Sequence, residues 1–69
     1  MVKNKIKEFR KELNVTQLEL AKSLRVTRHT IIAIENHRYN PSLELALRLS
    51  KYFDKPLEMI FSLEEEEKV

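Results

Sequence analysis

The 69-residue sequence predicts an all-α domain of five helices. Three observations carry that reading. Apolar residues recur at three- and four-residue spacing, capping or helix-opening residues stand before four of the periodic stretches, and no pair of strand-like runs supports a sheet within one chain. This length implies one domain, whose small core needs tight helix packing or self-association. The chain has no cysteine, which excludes disulfides and thiolate metal sites and fits an intracellular setting.

The first helix is expected over residues 3–13, with Ile6, Phe9 and Leu13 on its inner stripe and Lys and Arg opposite. Asn14 suits its end, because Asn tolerates the left-handed conformation better than most residues. Thr16-Gln-Leu-Glu19 matches a capping box and opens a second helix with Leu20, Ala21 and Leu24 inward. Thr27 is an N-cap for a third helix, Arg28 to about Asn36, with Ile31 and Ile34 in the core. Pro41-Ser42 starts a fourth, with Leu43, Ala46, Leu47, Leu49, Ser50 and Phe53 on or near its inner side. Pro56 opens a short fifth helix to about Phe61. Residues 60–64 read as a short strand or a frayed helix end, and the acidic stretch 62–69 reads as a solvated tail.

Residues 1–63 hold twelve Lys and Arg against seven Asp and Glu, a balance of +5, while residues 64–69 carry four acids and one Lys. A mildly basic body suits an anionic partner. No apolar run approaches the ~20 residues of a membrane span, and the charged start lacks a signal peptide's apolar stretch, so a soluble cytoplasmic protein is expected.

Residues 16–36 form the constellation with functional content. A helix-turn-helix needs two helices at a steep angle across a short turn, and close crossing needs a small residue, here Ala21. With Leu20, Leu24, Val26, Ile31 and Ile34 filling the angle, helical geometry turns Arg28, His29, Ile32 and Ala33 outward. The first residues of such a second helix are the ones that reach base edges in the major groove. Arg28 can donate twice to guanine, His29 can pair with a base edge, and Ile32 and Ala33 suit a thymine methyl. Thr16 and Gln17 open the second helix, where amides and the helix dipole favour a phosphate. Thr27 starts the third helix. Asn36, Arg38 and Tyr39 lie just past it and can clamp the next backbone segment.

At this point residues 1–61 resemble the Cro/phage-repressor (XRE) class of helix-turn-helix regulators, most sharply in VTQLELAKSLRVTRHTIIAIEN and RYNPSLELALRLSKYF. They are similar to its small stand-alone members, such as the cytolysin repressor. The resemblance implies a five-helix lambda-repressor-like fold with a short C-terminal extension, and operator binding as a homodimer. It places Gln17, Arg28, His29, Ile32 and Ala33 at base-contacting positions and Thr16 and Asn36 at phosphate-contacting ones. It also implies an ion pair between Arg10 and Glu35 that holds Arg10 near the phosphates. Two positions depart from the family pattern, which has glycine where this chain has Arg25 and His37. Either these residues adopt the left-handed conformation at a cost of ~1 kcal/mol or more, or the turns differ.

The apolar stretch Leu57, Met59, Ile60, Phe61 and Leu63 is the expected dimer interface, with residues 61–64 available to pair as strands across the twofold axis. The implied role is a repressor that occludes a palindromic operator. The alternative is an adaptor or antitoxin whose main partner is protein. No nucleophile–base pair or phosphate-binding glycine loop points to an enzyme, and His29 and His37 lack further ligands for a metal. No cofactor or small-molecule ligand is implied.

Overall fold

The structure, a computed structural model, describes residues 2–38 and 40–63. Strand β1 (Val2–Asn4) leads into α1 (Ile6–Glu12), α2 (Gln17–Leu24), α3 (Arg28–Glu35), α4 (Leu43–Phe53), α5 (Leu57–Ile60) and strand β2 (Phe61–Leu63). One core serves all five helices. Ile6, Leu20, Ile31, Ile34, Leu49 and Ile60 are fully buried, with Ala21, Leu24, Leu45 and Phe53 beside them. Phe9 closes one side against Phe53, ring centroids 5.9 Å apart, and the Lys55 ammonium sits 4.7 Å above the Phe9 ring.

The helix starts follow the sequence closely. Thr16, Thr27 and Ser42 each take extended backbone angles, and each side-chain oxygen accepts an N–H from three residues on. Each such cap is worth roughly 1 kcal/mol. Pro56 precedes α5 with φ −65°.

The helix ends share one solution. Asn14, Arg25, His37 and Asp54 all have φ between 55° and 61°, the left-handed region that glycine normally fills. In each case the next amide reaches back across the last turn: Val15 to Arg10, Val26 to Ala21, Arg38 to Ala33 and Lys55 to Ser50, at 2.9–3.1 Å. These are Schellman closures, which satisfy carbonyls that the ending helix leaves open. Arg25 and His37 therefore take the left-handed turn and carry a Cβ through it.

Several expectations are corrected. Helix α1 begins at Ile6, because residues 2–4 form a strand. That strand pairs antiparallel with β2 in the same chain, Val2 opposite Leu63, Lys3 opposite Ser62 and Asn4 opposite Phe61. Runs of three residues have no readable period, and their partners stand almost a whole chain apart. Ser62 and Leu63, expected in the tail, thus belong to the fold. Leu13 is exposed, since α1 ends one residue before it. Leu43 and Leu47 are 72% and 52% exposed, and the inner stripe of α4 is Leu45, Leu49 and Phe53. Ile60, expected at a dimer interface, is 1% exposed and belongs to the core. Tyr39 and the residues of the 64–67 acidic run lie outside the described residues.

Candidate nucleic-acid interface

The candidate surface is built on the angle between α2 and α3. Helix α2 is fixed at its start by a complete capping box: the Glu19 amide donates to Thr16 Oγ1 at 3.0 Å, and the Thr16 amide donates to Glu19 Oε1 at 2.8 Å. The hydrogen bonds from the Thr16 amide and hydroxyl hold the Glu19 carboxyl below its ordinary range. Buried Ala21 lets the two helices approach, and Arg25 turns the chain between them. Thr27 then caps α3, accepting the Thr30 amide at 3.2 Å while its hydroxyl meets the Thr30 hydroxyl at 3.1 Å.

Ile31 and Ile34 anchor one side of α3 in the core, and the opposite side follows from that rotation. Thr27, Arg28 and His29 are exposed, while Thr30, Ile32 and Ala33 are half-buried. Past the helix, Asn36 and Arg38 are exposed and His37 is half-buried, its Nδ1 enclosed without a hydrogen-bond partner among the described residues. Thr16 is exposed and Gln17 half-buried at the start of α2. Arg10, Thr16, Gln17, Leu18 and Arg28 line a single cleft of about 560 Å³.

Beneath this cleft lies the pair that the resemblance implied. Arg10 Nε donates to Glu35 Oε2 at 2.8 Å and Nη2 to Oε1 at 3.3 Å, with the two side chains 11% and 3% exposed. Arg10 Nη1 also donates to the Val15 carbonyl at 2.9 Å. Among the described residues three of the five guanidinium N–H groups are thereby engaged and two remain.

Three supports were not anticipated from sequence. Gln17 Nε2 donates to Glu35 Oε1 at 3.1 Å, so one buried carboxylate holds α1, α2 and α3 together. A carboxylate only accepts, which fixes the orientation of the Gln17 amide on chemical grounds. Asn4 Nδ2 donates to the Ile34 carbonyl at 2.8 Å, tying β1 to the end of α3, while its Oδ1 accepts the Ile6 amide at 3.2 Å. Arg48 Nη1 donates to the Leu24 carbonyl at the end of α2 at 3.2 Å and pairs with Glu44. Only the Glu44–Arg48 i,i+4 spacing was a readable signal. The other contacts are made across elements.

Comparison with known proteins agrees with this geometry. A helix-turn-helix family model matches residues 6–60. The chain belongs to that family, of the XRE type. An uncharacterized HTH-type transcriptional regulator of Methanocaldococcus jannaschii is 50% identical over 66 residues, spanning 96% of this chain and all of that protein. An uncharacterized HTH-type transcriptional regulator of Bacillus subtilis is 46% identical over 65 residues, 94% of this chain and 98% of the relative. A crystal structure from Bacteroides fragilis, of a protein whose description gives DNA binding as its expected role, superposes with TM-score 0.80. It covers 90% of this chain and all of its own, at 21% identity, and speaks for the fold. Among the described residues no helix is long and apolar enough to cross a membrane.

Proposed function

We propose that this chain is a sequence-specific double-stranded DNA-binding transcriptional regulator, a repressor that occupies a palindromic operator as a homodimer. One observation carries the reading: Arg28 and His29 stand exposed at the start of a helix whose opposite face is locked in the core. That is the arrangement by which a recognition helix enters the major groove. The kinship with HTH-type transcriptional regulators supports it. Arg28, His29, Ile32, Ala33 and Gln17 then face base edges. Arg28 supplies the strongest discrimination through two hydrogen bonds to guanine. Thr16, Thr27, Asn36, Arg38, Tyr39 and the two remaining Arg10 donors meet phosphates, which gives affinity and register without sequence information. Half-buried Ile32 and Ala33 offer only apolar contact.

An eight-residue helix is ~12 Å long and covers about one half-site, so useful affinity needs a second copy. Leu57, Met59, Phe61 and Leu63 contribute to that interface. The dimer blocks polymerase access by occupying the operator, which places its work in the cytoplasm. Selection of bound duplexes from random DNA tests the whole reading. It should return a twofold-symmetric site whose half-sites lie one helical turn apart, and binding that weakens steeply with salt. Failure to enrich any duplex, with full binding to a protein partner instead, would replace it with the adaptor reading.

A further inference from the structure

His37 closes the end of α3 and has no part in the contacts proposed above. It stands in the left-handed region at φ 59°, at the position where the family pattern has glycine and so no side chain. Exposed Asn36 and Arg38 flank it in the chain, and its own ring is half-buried. Of the two ring nitrogens, Nδ1 is enclosed without a hydrogen-bond partner among the described residues, and Nε2 is not shut in.

That difference places the proton. A neutral imidazole has one N–H and one bare nitrogen, and the surroundings decide which is which. Buried donors are left without a partner less often than buried acceptors. Nδ1 is therefore the bare nitrogen, and the proton sits on Nε2, where water or a ligand can accept it. The last turn of α3 also lets an anion approach. A helix C-terminus ordinarily repels one through its open carbonyls. Here the Ile32 carbonyl accepts the Asn36 amide, the Ala33 carbonyl accepts the Arg38 amide, and the Ile34 carbonyl accepts both the His37 amide and Asn4 Nδ2, at 2.8–3.0 Å.

We infer that His37 is a further DNA-contacting residue, whose Nε2–H donates to a phosphate of the backbone segment that Asn36 and Arg38 meet. It is an uncharged donor, and a glycine at this position cannot supply it. The contact rests on the DNA-binding reading above and gives the left-handed side chain a task that offsets its conformational cost. An uncharged donor has a signature of its own. Its loss weakens binding without changing how many counterions the DNA releases, whereas loss of a Lys or Arg contact lowers the salt dependence.

Nuclear magnetic resonance of the full chain and duplex-binding titrations test this together. At about pH 8, two-bond proton–nitrogen correlation spectra should show the His37 ring, identified by its absence from His37→Gly, with its proton on Nε2. In the complex with a selected duplex that proton should become protected from exchange with water. His37→Gly suits the backbone angle, so its melting temperature should stay near that of the wild type. Its affinity should nevertheless fall about tenfold or more. Between about 50 and 200 mM salt, its slope of log K against log salt should match the wild type, whereas Arg38→Ala should reduce the slope by about 1 per copy. A proton on Nδ1, full affinity in His37→Gly, or a slope that falls as in Arg38→Ala would overturn the inference. A wild type that binds no duplex sinks the DNA reading and this contact together. A wild type that binds no better than His37→Gly sinks the contact alone.

Discussion

Removing the Glu35 carboxylate is the most demanding test of how the candidate surface is held. Glu35→Ala deletes the acceptor of two Arg10 donors and of the Gln17 amide, and it leaves the Arg10 side chain, 11% exposed in the intact pair, with the Val15 carbonyl as its one remaining partner among the described residues. Breaking a buried ion pair from one side costs about 3–5 kcal/mol, because the surviving charge stays desolvated. The residual exposure of Arg10 lets some water reach it and favours the lower figure, about 3 kcal/mol. A chain of this length has a total stability of roughly 3–10 kcal/mol, so the loss is a large share of the whole. In melting temperature it corresponds to a fall of about 12–24 °C. The chain supplies its own control. Arg48 and Glu44 form a pair with side chains 46% and 73% exposed, and Glu44→Ala should cost under about 0.5 kcal/mol. Urea unfolding of the two variants and the wild type, followed by circular dichroism at one fixed protein concentration, measures both. Replacing Arg10 and Glu35 together by methionine should recover most of the stability, since an apolar pair leaves no stranded charge. A Glu35→Ala loss below about 1 kcal/mol, or one equal to that of Glu44→Ala, would refute the claim that this carboxylate is a desolvated hub.

Three other outcomes follow from the same structure. Arg25→Gly relieves a Cβ at φ 61° while giving the unfolded chain more freedom, two effects of about 1 kcal/mol each with opposite sign. Thermal melting should show a neutral or slightly stabilised protein, and a clear loss would mean that the Arg25 side chain itself contributes. Arg28→Ala should leave the melting temperature unchanged, weaken selected-site binding by roughly 1–3 kcal/mol and lower its preference over random DNA in competition gel shifts. Unchanged preference would remove Arg28 from the reading face. The Glu19 carboxyl titrates below its ordinary value of 4.5 when folded, so its capping contribution is complete above that value and is lost as pH falls through the lowered one. The wild type should therefore lose melting temperature more steeply than Glu19→Gln as the pH drops below about 4.5. Parallel curves would show that the capping box does not contribute through its charge.

Local physics made much of this protein legible before any coordinates. The Thr16 and Thr27 caps, the Glu19 partner and the placement of Ile31 and Ile34 all depend on residues within one or two turns of each other. Fixing those residues determined which side of α3 carries Arg28 and His29. At Arg25 the sequence left two alternatives open, a left-handed residue or a different turn, and the structure takes the first. Tertiary packing decided the rest. Leucines at 43, 45, 47 and 49 fit more than one inner face of α4, and only contact with the assembled core chose Leu45 and Leu49. Phe61–Leu63 was open as a strand or a helix end and Val2–Asn4 carries no pattern of its own, and their pairing exists because the packed core brings the two segments together. Glu35 joins α1, α2 and α3 through Arg10 and Gln17, and Asn4 reaches the last turn of α3, because hydrogen bonds between distant residues obey the geometry of the packed helices and no local rule of spacing.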